Sequence, residues 1–271
     1  MKIRLLFLLC GCLFLLSCSG KQEPLIRTSL RHYYEPYRVN GFLALEDPSR
    51  ETILVSDPSI FRTAFTPAST FKICHSLIAL ETGVIKDEST VLKWDSVDRD
   101  NPNWNKDQNL TEAFQNSTVW YYQEVARRIG GTRMKTWLEK ADYGNADTTG
   151  GIDKFWLKGG LRISPEQQLQ FIQKLHKDQL PFSKRSMDIV KKMMVSKDSA
   201  GFVLRGKTGW GNQETIQVGW FVGYAETEDR VVYFANLVRM ADSSSNDMLF
   251  DQSRRGVVSS ALNDYFSGTL K

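Results

Sequence analysis

Cysteine is scarce where it could matter. Of the four cysteines in 271 residues, Cys10, Cys12 and Cys18 fall within the first eighteen positions, and only Cys74 lies in the body of the chain. An exported fold therefore has no disulfide framework to rely on, and its stability has to come from a core. The apolar surroundings of Cys74 predict a buried free thiol. Histidine is rarer: His32, His75 and His176 are far apart, with no spacing suited to zinc, so no metal is expected. Past the first sixteen residues no apolar run approaches the roughly 20 residues that span a bilayer. Internal repeats and low-complexity blocks are absent. Charge is only mildly one-sided. Half of the formal net charge of +4 sits on Lys2 and Arg4, so no nucleic-acid partner is expected.

What is present is the balance of an ordinary folded protein, 41% hydrophobic and 24% charged. The length suits one large domain or two lobes on a shared core. Residues 1–17 read as a secretion signal, with Lys2 and Arg4 ahead of the short apolar run Leu5 to Leu16. The segment closes on Leu15-Leu16-Ser17-Cys18 before a polar stretch. This resembles the bacterial lipoprotein box, which implies lipidation of Cys18 and a periplasmic protein anchored to the membrane through that lipid.

Residues 18–40 form a polar, aromatic-studded lead-in without clear period, and 41–271 a single folded domain. Gly41 to Asp47 and Glu51 to Ser56 read as strands around the turn Asp47-Pro48-Ser49. From Ala68 to Gly201 the pattern is mostly helical. Gln217 to Ala225 and Arg230 to Val238 predict a β-hairpin, and Asp251 to Tyr265 a final helix. Strands at both ends with helices between them predict an α+β fold: a mixed sheet built from both chain termini, flanked by helices, with an inserted helical lobe.

The chemistry concentrates in Thr66-Pro67-Ala68-Ser69-Thr70-Phe71-Lys72. Thr66 can cap, Pro67 suits a first helical position and Gly83 a stop, so an α-helix is expected to begin here. Ser69 falls in its first turn, where free backbone N–H groups favour developing negative charge. Lys72, three residues on, shares its face. A serine hydroxyl needs a base, and a lysine can be that base only if burial lowers its pKa. Ser-x-x-Lys arises by chance about once in a chain of this length, given ordinary residue usage. A later Lys207-Thr208-Gly209 makes the pair characteristic of penicillin-recognising enzymes. Its lysine and hydroxyl can bind a carboxylate, and its glycine permits close approach.

Further segments extend the match: Trp104-Asn105-Lys106-Asp107, Ser117-Thr118-Val119-Trp120, Tyr143-Gly144-Asn145, Phe155-Trp156-Leu157 and Gly219-Trp220-Phe221-Val222-Gly223-Tyr224. With these the mature chain resembles the class D β-lactamases, or oxacillinases, over nearly all its length. The resemblance implies hydrolysis of β-lactam antibiotics, and hence resistance, through an acyl-enzyme on Ser69. It implies that Lys72 is converted by carbon dioxide or bicarbonate to an N6-carboxylated general base, with no other cofactor. Trp156 would hold that group, with Val119 packed nearby, and Ser117 would relay a proton to the leaving nitrogen. Lys207, Thr208 and Arg254 would hold the substrate carboxylate, with Gly209 beside them. The backbone N–H groups of Ser69 and Trp210 would form the oxyanion hole. Arg254 suits its role better than Arg255, because Val257 and Leu262 then take apolar positions. Monomer and homodimer both fit. A cell-wall transpeptidase and a β-lactam sensor domain are the competing readings. Tyr143-Gly144-Asn145 and Trp156-Leu157 count against the first, and the lack of several membrane spans against the second. Ser96 stands where family members commonly carry glycine.

Overall fold

In the computed structural model, residues 25–27, 30–196, 201–241 and 247–270 are described. The leader and Cys18 lie outside them. The strands are β1 (Leu25–Arg27), β2 (Asn40–Asp47), β3 (Thr52–Val55), β4 (Val203–Gln213), β5 (Ile216–Glu226) and β6 (Val231–Ala241). They form one sheet in the order β1-β3-β2-β6-β5-β4. β1 runs parallel to β3 and every other pairing is antiparallel. The sheet is thus mixed and drawn from both ends of the chain, as expected, and β1 comes from the segment that showed no period. The helices are α1 (Pro58–Phe61), α2 (Lys72–Glu81), α3 (Leu110–Gln115), α4 (Val119–Ile129), α5 (Gly131–Lys140), α6 (Pro165–His176), α7 (Lys184–Met193) and α8 (Asp247–Phe266). All but α8 lie between β3 and β4, which makes them the inserted lobe.

Alternation along the strands splits the core in two. On β5, Val218, Trp220, Val222 and Tyr224 join the larger core with the helical lobe, while Phe221 and Ala225 face the smaller one under α8. On β6, Tyr233, Ala235 and Leu237 face the first and Val232, Phe234 and Val238 the second. The 3-10 helix Arg31–Tyr37 ties the lead-in to this second face: Tyr33 donates to Asp264 and Tyr34 to Asn236, both at 2.7 Å. Helix starts follow local sequence. Reciprocal capping boxes, Asn109 with Glu112 and Ser164 with Gln167, open α3 and α6. Among the described residues no helix is long and apolar enough to cross a membrane.

Two expectations need correction. Residues 82–109, within the span Ala68 to Gly201 expected to be mostly helical, are irregular apart from the short 3-10 turn Pro102–Trp104. Asp and Asn side chains there compete for the backbone: Asp107 accepts from Trp94 N–H, Asp95 from Val97 N–H and Asn105 from Arg99 N–H. Ser96 adopts φ +60 in this stretch, a conformation glycine takes more readily. The second correction concerns the start of the helix carrying Ser69. Residues Ala68–Phe71 form a 3-10 turn and the α-helix begins only at Lys72. No side chain caps the turn, because the cap position falls on Pro67, whose ring has no acceptor, and not on Thr66.

Candidate active site

The turn bearing Ser69 is fixed from both lobes. Thr66 N–H donates to Gln213 Oε1 at 2.8 Å, and the Thr66 carbonyl accepts from the Trp220 indole at 2.9 Å. Ala68 N–H donates to the Trp156 carbonyl at 3.1 Å. These bonds hold Ala68 at φ +49, and Ser117 similarly stands at φ +54; such left-handed backbone persists only where the surroundings impose it. β4 is an edge strand of the sheet, and it runs against this turn. A Cβ on Gly209 would stand 2.9 Å from the Pro67 carbonyl and 3.3 Å from Thr70 N, and one on Gly211 3.2 Å from the Ala68 methyl. Glycine at 209 therefore permits the approach, and Trp210 lies between the two contacts.

Every residue of α2 from Lys72 to Leu80 is buried. Lys72 has no exposed surface, and its Nζ donates to Ser69 Oγ at 2.8 Å. The ammonium lies 5.2 Å from the Tyr122 ring centre. Phe71 beside it meets Tyr143, Phe155 and Trp156 at ring separations of 5.2–5.6 Å. Among the described residues no carboxylate pairs with Lys72, and burial pushes its pKa down to about 7, so a large share of the amine is neutral near neutral pH. Trp156 is fully buried, and its Nε1 has no hydrogen-bond partner among the described groups. A buried indole N–H without an acceptor is uncommon.

Tyr143-Gly144-Asn145 clamps the loop that carries Trp156. Gly144 has φ +58, and a Cβ there would overlap the Arg162 carbonyl at 2.2 Å. Asn145 donates to the Gly160 carbonyl and accepts from Arg162 N–H, both at 2.9 Å.

The other end of the site is cationic. Lys207 Nζ is hydrogen-bonded to Ser117 Oγ and to the Thr208 carbonyl. Burial, and then the charges of Lys72, Arg255 and Arg254, hold its pKa well below the usual lysine range. Arg254 on α8 reaches the Gly209 carbonyl at 3.1 Å and stacks 5.3 Å from the Trp210 ring centre. Burial and the neighbouring Arg255 lower its pKa to about 10. Asp251, one turn earlier, pairs with it. Arg255 turns away to Ser196 and the face of Phe221. Cations this crowded favour an incoming carboxylate.

Ser69 is thus paired with Lys72, Ser117 with Lys207, and Arg254 with Gly209 and Trp210, while Trp156 meets the Ser69 turn through Ala68 and Phe71. Thr208 is half-buried on β4, and Val119 is half-buried at the first position of α4, two residues past Ser117. Sequence reasoning missed several contributors. Gln213 holds Thr66, and Gln217 accepts from Trp210 Nε1 at 3.0 Å and donates to Asp247 at 3.3 Å. Asp251 occupies Arg254, and His75 is buried whole beside Trp156. Position i,i+3 to the arginine was a legible signal for Asp251. Gln213 at the end of β4 and Gln217 near the start of β5 carry none.

The chain has clear relatives. The family model of the penicillin binding protein transpeptidase domain matches residues 36–254. Beta-lactamase OXA-48 of Klebsiella pneumoniae is 41% identical over 211 residues, covering 78% of this chain and 80% of that protein. Probable beta-lactamase YbxI of Bacillus subtilis is 39% identical over 236 residues, covering 87% and 88%. A crystal structure of a class D beta-lactamase from Sebaldella termitidis aligns with a TM-score of 0.84 at 33% identity, covering 89% of this chain and 97% of that one.

Burying Lys72 has a measurable cost. Unfolded, the amine titrates near 10.5; folded, near 7. Between these values the unfolded chain holds a proton that the native one lacks, so stability should rise with pH across this window. In carbon dioxide-free buffer, Lys72→Met should be more stable than the parent at pH 7.5 by about 4 kcal/mol. The gap should close toward pH 10. Urea midpoints measured from pH 7 to 10 check this, and parallel curves would contradict it.

Proposed function

The chain belongs to the class D β-lactamases, and on that premise we propose that it opens the four-membered amide ring of β-lactam antibiotics and so gives resistance to them. One observation carries the finer mechanism. A fully buried lysine with lowered pKa donates to a serine hydroxyl while an unpartnered indole N–H stands in the same cage.

The substrate carboxylate docks against Lys207, Thr208 and Arg254, which places the ring carbonyl over Ser69. Ser69 Oγ attacks the carbonyl carbon as the Lys72 side chain, already bonded to that hydroxyl, takes its proton. The oxyanion that forms is received by the backbone N–H groups of Ser69 and Trp210. As the carbon–nitrogen bond breaks, Ser117 passes a proton to the leaving nitrogen, and Lys207 at its back replaces it. Water then attacks the ester, again losing its proton toward Lys72, and Ser69 is freed. Only a neutral amine captures carbon dioxide; Lys72 would do so by forming an N–C bond and releasing one proton to water, and the product would supply a carboxylate base at this point. Trp156 Nε1 would hold it, with Phe71 and the neighbouring aromatic rings keeping water out. Export, with Cys18 as lipid anchor, would put the site where β-lactams meet it, in the periplasm.

With excess chromogenic cephalosporin the parent should turn over continuously, whereas a stoichiometric burst that stops would contradict hydrolysis. Ser69→Ala should lose both acylation, read by intact-mass spectrometry, and turnover. Trp156→Phe should still acylate but slow deacylation by about 10²–10⁴-fold, with partial rescue by bicarbonate. Deacylation at the parent rate would rule out its holding role. Cys18→Ala should move the protein from the membrane to the soluble fraction of fractionated cells; unchanged membrane association would rule out the anchor.

A further inference from the structure

A second buried group in the same cage lacks a partner. His75 has no exposed surface, and neither of its ring nitrogens has a hydrogen-bond partner among the described residues. It lies three residues after Lys72 on α2, so both side chains leave the same side of the helix. Its ring is stacked on Phe71 at 5.2 Å, tilted against Tyr122 at 5.1 Å and edge-on to Trp156 at 5.3 Å. Tyr122 is also the ring beneath the Lys72 ammonium, which brackets the imidazole between Lys72's neighbour and Trp156. The field of Lys72 reaches it: burial, and then that charge, push the imidazole pKa down to about 3, so the ring is neutral and carries one N–H. The Tyr122 hydroxyl is already bonded to Ser76 at 2.8 Å. Buried polar groups nearly always find a partner, and two orphans in ring contact, one of them within the field of Lys72, call for a shared acceptor.

We infer that His75 is a positioning residue whose ring N–H is a second hydrogen-bond donor, alongside Trp156, to the carboxylated form of Lys72. The inference rests on the carboxylation reading above. A carboxylate accepts at several sites, so two donors hold it more firmly than one and set its orientation toward Ser69. Without that acceptor, a phenylalanine would suit this apolar cage better than histidine.

The test compares the parent, His75→Phe and His75→Gln by carbon-13 NMR with labelled bicarbonate, reading carbamate occupancy against bicarbonate concentration. Phenylalanine keeps the ring contacts without the donor, and glutamine keeps an N–H. A carbamate signal is expected in the parent, with about tenfold more bicarbonate needed for half-occupancy in His75→Phe. His75→Gln should stay within about threefold of the parent. Thermal unfolding of His75→Phe at or above the parent temperature separates this loss from a damaged fold. Parent-like occupancy in His75→Phe, or equal loss in both variants, overturns the donor role while leaving carboxylation standing. No signal in the parent overturns carboxylation itself, and the inference with it.

Discussion

Keeping the Lys72 amine out of water, without a carboxylate to balance it, constrains the whole site. An ammonium there would be isolated in an apolar cage, and the protein can relieve that cost only by giving up the proton. α2 is buried on all sides to achieve this, and Phe71, Trp156 and Tyr122 close the cage. The same burial leaves a large share of the amine neutral near pH 7, as the proposed base has to be, and its Nζ lies 2.8 Å from Ser69 Oγ. Stability is given up at one residue so that a lysine can do what it cannot do in water.

The backbone beside Ser69, the proposed nucleophile, is strained, and the strain is balanced by bonds from distant segments. Ala68 and Ser117 both take left-handed φ values. Ala68 is held by the Trp156 carbonyl on one side, and its neighbour Thr66 by Gln213 and Trp220 on the other. The turn thus joins the two lobes: the helical lobe supplies Lys72, Trp156 and Ser117, and the sheet supplies Lys207 to Trp210. Gly209 and Gly211 let β4 lie against the turn. The cationic end is arranged likewise, with Arg254 spanning from α8 to the Gly209 carbonyl and the Trp210 ring. A movement of α8 would therefore be felt at the edge of β4.

Much of this was legible in the chain because it is local. Short apolar runs on either side of the turn at Asp47-Pro48-Ser49 mark β2 and β3, the aromatic-rich segments around residues 217 and 230 mark β5 and β6, and Ser-x-x-Lys fixes an i,i+3 pair whatever the helix type. Arg254 could be chosen over Arg255 because Val257 and Leu262 had to face the core, and both are buried. The features that escaped depend on contacts between remote residues. A stretch rich in Asp, Asn and Ser can satisfy its backbone through its own side chains, so residues 82–109 hold a fixed irregular path without helix. The 3-10 start before α2 is imposed by Gln213 and Trp220, more than 140 positions away. His75 entered the sequence reading only as one of three scattered histidines, because no sequence pattern reveals that an imidazole will be buried without a partner.

The neutral amine is most directly tested by titrating Lys72 itself. Carbon-13 labelling of lysine Cε, with the resonance assigned by its absence in Lys72→Met, gives the ionisation midpoint by NMR in carbon dioxide-free buffer. A midpoint near 7 is expected. A midpoint near the 10.4 of a free lysine would contradict a desolvated base beside Ser69.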